Sequence, residues 1–69
     1  MMEIKEVNTV GRDLIRAIKP GTTEYFRVPS RAKCESARAS VGLVRAIDGT
    51  DYKVSVDYTT VTVGITRIK

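Results

Sequence analysis

Residues 30–49, SRAKCESARASVGLVRAIDG, are the longest segment of the 69-residue chain with one consistent helical periodicity, and their reading decides the fold. At about 100° per residue, Ala37, Ser40, Leu43, Val44 and Ile47 fall on one side, predicted to face the core. Small residues there, Ser36 included, would let the helix lie close to a sheet. Arg31, Arg38 and Arg45 recur every seventh position on the opposite side, beside Gly42, Ala39 and Ala46. Ser30 suits the N-cap, where a hydroxyl accepts a hydrogen bond from a free N–H of the first turn. The helix is predicted to end near Ile47, with Asp48 and Gly49 as its C-terminal break.

Working outward, residues 22–28, TTEYFRV, are dense in β-branched and aromatic side chains and stop at Pro29, the pattern of a strand with Phe26 and Val28 on one face and Tyr25 and Arg27 on the other. Residues 51–56 and 61–68 alternate with period two around a short polar join, which predicts a β-hairpin. Tyr52, Val54, Val56, Val61, Val63 and Ile65 share its apolar face; Lys53, Ser55, Thr60, Thr62 and Thr66 make the other face polar. Apolar positions from Ile4 to Ile18 are spaced by three or four, but Asn8, Thr9 and Gly11 interrupt them. A short helix from Thr9 or Val10 to Ile18 is therefore expected, with residues 1–8 as an arm, flexible or swapped. Pro20 and Gly21 then turn the chain. The expected architecture is one small α+β domain of order α-β-α-β-β: a three-stranded antiparallel sheet with the C-terminal strand central, the long helix across one face, and two open edges.

Twelve basic and eight acidic residues give a net charge of +4 and a pI near 9.6. The excess is concentrated in residues 21–47, which hold five basic and two acidic residues. Such a footprint suits nucleic acid or an acidic protein surface, although charge of this size also serves solubility alone. Cys34 is the only cysteine and there is no histidine, so neither an internal disulfide nor a zinc site is expected. No secretory signal pattern or membrane-length apolar run is present, and a soluble, cytoplasmic protein is expected. A chain this short buries only about 60% of its unfolded surface, which makes a partner or twin subunit plausible.

Without histidine, a Gly-rich phosphate loop, or a Ser or Cys beside an identifiable base, the chain is expected to be non-enzymatic and to hold no cofactor or metal. Cys34 follows Lys33 near a helix start, conditions that lower a thiol pKa, but a half-buried structural cysteine is the plainer expectation. The Arg31, Arg38, Arg45 row, with guanidinium groups about 10 Å apart, could follow phosphates or an acidic strip. Its plain alternative is the solvent face of an amphipathic helix, with Glu35 placed to pair with Arg31 or Arg38. Arg31 and Lys33 in the opening turn, beside Ser30, suggest an anion pocket, since a helix N-terminus otherwise disfavours cations. Gly42, with Ala39 and Ala46, makes a small-residue patch that admits a close neighbour. The polar sheet face, with Tyr25, Arg27, Lys53 and the threonines, is a rival surface.

From Gly21 to Ile68 the strand closing on Val28 and Pro29, the Ser/Arg-rich helix, and the hairpin ending in Val63, Arg67 and Ile68 resemble small proteins encoded by phages and mobile elements. Thr66 stands where that pattern has an aromatic, and the resemblance transfers no functional residue. Together these features predict a small binding protein contacting nucleic acid phosphates through Arg31, Lys33, Arg38 and Arg45, with Gly42 in the same surface. The alternative is a protein-interaction module, such as a phage-type inhibitor docking on an acidic host protein, or a homodimer formed through the Gly42 patch or an open strand edge.

Overall fold

The computed structural model describes residues 3–69, and its elements run β1 (Ile4–Glu6), α1 (Arg12–Arg16), β2 (Thr23–Arg27), α2 (Arg31–Asp48), β3 (Tyr52–Asp57) and β4 (Thr62–Arg67). The class is α+β as expected, but the sheet is four-stranded and mixed, in the order β1-β2-β4-β3. β4 lies antiparallel between β2 and β3, so the C-terminal strand is internal as predicted.

The fourth strand corrects the expected arm: Ile4–Glu6 pairs parallel with β2, Ile4 opposite Tyr25 and Glu6 opposite Arg27. Lys5 Nζ reaches Glu24 at 2.9 Å, and the Val7 amide continues the ladder to the Arg27 carbonyl at 3.0 Å. The expected arm's residues 1 and 2 lie outside the described residues. β1 covers one of the two sheet edges expected to be open. The first helix is shorter than predicted, because Gly11 caps it without a side chain and only five residues follow in helical form. Val10, Ile15 and Ile18 are nevertheless all buried, while Val7 and Leu14 of the same spaced set are partly buried and Ile4 is exposed.

The ends of α2 follow local chemistry. Ser30 Oγ accepts from the Lys33 amide at 3.3 Å, and Gly49 adopts φ 70°, left-handed backbone that costs glycine little, with its amide bonded to the Arg45 carbonyl. Its facing differs from the prediction. Cys34, Ala37, Val41 and Val44 are buried, whereas Leu43 and Ile47 are exposed and Ser36 faces solvent. The core direction is rotated by roughly 80° from the predicted one, at 100° per residue.

Phe26, Val28, Val63, Ile65 and Tyr52 complete the core from the sheet, as their alternation predicted. The hairpin closes through residues 58–61, where Val61 sits at φ 48°. A β-branched residue rarely adopts that conformation. It is held there because its carbonyl accepts from the Val28 amide at 3.0 Å and its side chain packs on the core. Among the described residues, the opposite sheet face carries no helix.

Candidate functional site

With one side of α2 committed to the core, the opposite side consists of Ala32, Ser36, Ala39, Leu43 and Ala46, with Ile47 beside them, all exposed. Leu43 and Ile47 retain 47% and 57% of their accessible surface, and no charged side chain interrupts the strip. Its first five positions step by four and three alternately, the spacing by which one helix presents a seam to another. The helix thus has two apolar sides, of which the chain itself covers one.

Arg31, Arg38, Gly42 and Arg45 share a flank between the core side and this strip. The arginines therefore lie beside the sheet rather than diametrically opposite the core. Arg38 Nη1 donates to Tyr58 Oη at 3.2 Å and lies 3.5 Å from Glu35 Oε2, while Tyr58 Oη donates to Glu35 Oε1 at 3.0 Å. The Tyr58 hydrogen bond, then the Glu35 charge, hold the Arg38 guanidinium above its ordinary pKa. Arg45 Nη2 lies 3.5 Å from Asp51 Oδ1. Both ion pairs are exposed, and pairs of this kind contribute about 0.2–1 kcal/mol. Their effect is on the field: three guanidinium groups are answered by two carboxylates, so the flank carries a small positive charge.

Arg31 makes no ion pair among the described residues. Lys33 lies apart, on the other flank, where its Nζ donates to Thr9 Oγ1 at 3.0 Å. Since Ser30 Oγ is occupied by the Lys33 amide and the Lys33 side chain turns away, Arg31 and Lys33 do not converge on an anion pocket. A Cβ at Gly42 would meet nothing within 4 Å, so no contact inside the chain requires glycine there. Periodicity places Leu43 and Ile47 in the core, whereas the structure exposes both. The alternation over residues 32, 36, 39, 43 and 46 marks a second apolar side of the helix without saying which side the core takes.

The bare sheet face is the rival surface. Tyr25 lies across Gly64, where a Cβ would come within 2.9 Å of its ring, and depressions of about 270 and 320 Å³ open on either side. Arg27 and Lys53 are balanced there by Glu6, 3.8 Å from Arg27, and by Asp57. This face lacks the excess positive charge that phosphate contacts require. Cys34 is fully buried, and burial pushes its thiol pKa up, away from a reactive thiolate.

Among the described residues no group of three or more His, Cys, Asp or Glu side chains is placed to hold a metal ion, and no helix is long and apolar enough to cross a membrane. Comparison of the chain with protein-family models, curated proteins and solved structures finds no match.

Proposed function

We propose that the chain is a non-enzymatic protein-binding module whose working surface is the outward side of α2, and that its partner presents an apolar helix face flanked by acidic residues. The observation that carries this reading is the exposure of Leu43 and Ile47 on a capped helix whose other side already fills the core. Leu43 and Ile47 are already about half covered, so burying the remainder contributes about 0.7–1.5 kcal/mol each. Ala39 and Ala46 keep the strip low between them, which suits close helix packing. The residual positive charge of the Arg31, Arg38, Arg45 flank selects an acidic rim and speeds encounter with it. A phage-type inhibitor docking on an acidic host protein is one form of this reading.

The second reading is contact with nucleic acid phosphates through Arg31, Arg38 and Arg45, with Lys33 apart on the other flank; it is favoured by Arg31, which makes no ion pair among the described residues, and by the net charge of +4. Fluorescence anisotropy separates the two, using a helical peptide of about 20 residues with a Leu/Ala face and Glu flanks, its Lys-flanked counterpart, and a generic DNA duplex. The acidic peptide should bind at least about tenfold more tightly than the basic one, a difference of about 1.4 kcal/mol. Leu43→Asp/Ile47→Asp should abolish that binding, and Arg38→Glu should weaken it. No binding of the acidic peptide overturns the protein reading. Duplex binding that falls steeply with salt, is lost in Arg38→Glu and survives Leu43→Asp/Ile47→Asp would put the phosphate reading in its place.

A further inference from the structure

The free edge of β3 is a separate surface that shares no residue with the strip on α2. β3 is the terminal strand of the sheet, and no strand lies beyond it among the described residues. Its direction of hydrogen bonding follows from the ladder. The Arg67 amide donates to the Thr22 carbonyl at 3.1 Å and the Arg67 carbonyl accepts from Gly21 at 2.7 Å, so the backbone of Arg67 turns toward the β2 side. Strand residues alternate, so Thr66, Gly64 and Thr62 turn toward β3 and pair with Lys53, Ser55 and Asp57. The N–H and C=O groups of Val54 and Val56 therefore point outward from the sheet.

Residues 52–58 read Tyr-Lys-Val-Ser-Val-Asp-Tyr, a sequence that matches itself in reverse apart from the exchange of Lys for Asp. We infer that β3 pairs antiparallel with β3 of a second copy about a two-fold axis at Ser55, joining two four-stranded sheets into one of eight. In this register Val54 faces Val56 of the second copy, and each such pair exchanges two backbone hydrogen bonds. Lys53 stands opposite Asp57 of the second copy, twice by symmetry, with Cβ atoms about 5 Å apart. Neither side chain forms an ion pair within its own chain among the described residues.

Sliding the pair by one step of the two-fold, so that it centres on Val54, sets Asp51 against Asp57. Centring it on Val56 leaves Lys53 opposite Thr59. Charge thus selects one register. Val54, Val56 and Tyr58 are only partly buried in the single chain, and the second copy extends the apolar layer that begins with them. The flank of α2 nearest this edge, marked by the Arg38–Tyr58 and Arg45–Asp51 contacts, has two of its three guanidinium groups answered by carboxylates, which leaves about one unit of positive charge. A second copy meets no strong field of like sign there, and Gly42 leaves room on that flank.

Sedimentation velocity across a concentration series up to about 1 mM, with charge exchange in trans, tests the pairing. Wild type should shift from monomer to dimer with concentration. Lys53→Asp alone and Asp57→Lys alone should each weaken the dimer at least about tenfold, because each sets like charges face to face twice. An equimolar mixture of the two variants should recover it, since both opposing pairs are then of opposite sign. A wild type that stays monomeric throughout overturns the inference, as does a Lys53→Asp variant that dimerises like wild type. A mixture that fails to recover overturns the register. Because Asp57 Oδ1 also accepts from the Thr59 amide at 2.9 Å, a second readout uses the wild-type chain alone. Hydrogen exchange at the Val54 and Val56 amides should slow as concentration rises, and rates independent of concentration contradict the pairing. Peptide binding is read at concentrations where the chain is monomeric and depends on Leu43 and Ile47, which the β3 pairing does not use, so failure here is distinguishable from failure of the reading above.

Discussion

The two sides of α2 differ less in composition than in fate. One presents Cys34, Ala37, Val41 and Val44, all buried against the sheet and α1; the other presents Ala39, Leu43, Ala46 and Ile47, all exposed. A helix with one apolar stripe has a single place for it, whereas a helix with two must leave one uncovered or offer it to another molecule. The lesson is that apolar character locates contact surfaces, while only tertiary structure says which contact is internal.

Adjacent residues give the sharpest way to break this contrast. Val44→Asp places a charge in a fully buried position and should cost about 3–5 kcal/mol or unfold the chain, read by thermal or urea denaturation. Leu43→Asp, one residue earlier and about half exposed, should cost only about 1–1.5 kcal/mol, from helix propensity and the covered part of the side chain. Equal damage from both would place Leu43 in the core.

Two glycines sharpen it at the next level. Gly49→Ala forces a side chain into left-handed backbone and should cost about 1 kcal/mol, whereas Gly42→Ala, in open helical surroundings, should stabilise the monomer by about 0.5–1 kcal/mol. Denaturant midpoints of the two variants should move in opposite directions.

The smallest effect concerns the end of α2. Arg16 Nε and Nη2 donate to the two Asp48 oxygens at 2.8 and 3.1 Å, which ties α1 to α2 and holds the Asp48 carboxyl below its ordinary pKa. A lowered folded-state pKa means that the unfolded chain binds more protons. The contribution is complete above the ordinary carboxylate pKa and is lost as pH falls through the folded-state value. Melting temperatures of Asp48→Asn between about pH 5 and pH 2 should therefore fall less steeply than those of wild type.

Much of this was legible in the chain. Ser30, Gly49 and Pro29 mark boundaries by local chemistry, and the alternation in 51–56 and 61–68 fixes which hairpin side is apolar. The Glu35–Arg38 pair follows from helical spacing. What was hidden depends on partners distant in sequence. β1 is three exposed residues with no alternation to show, defined only by its pairing with β2. The Arg45–Asp51 pair and the Tyr58 hydroxyl on Arg38 need the sheet beneath the helix. The facing of α2 is not legible because Leu43 and Ile47 are as apolar as Val41 and Val44, and periodicity alone weighs both sides alike.

The most direct test of the central claim is chemical-shift mapping of the isotope-labelled chain titrated with the Glu-flanked helical peptide. Resonances of Ala39, Gly42, Leu43, Ala46 and Ile47 should move together and saturate, while those of Tyr25 and Gly64 on the bare sheet face stay in place. Shifts centred on Tyr25 and Gly64, or a titration that leaves Leu43 and Ile47 unmoved, would contradict the claim.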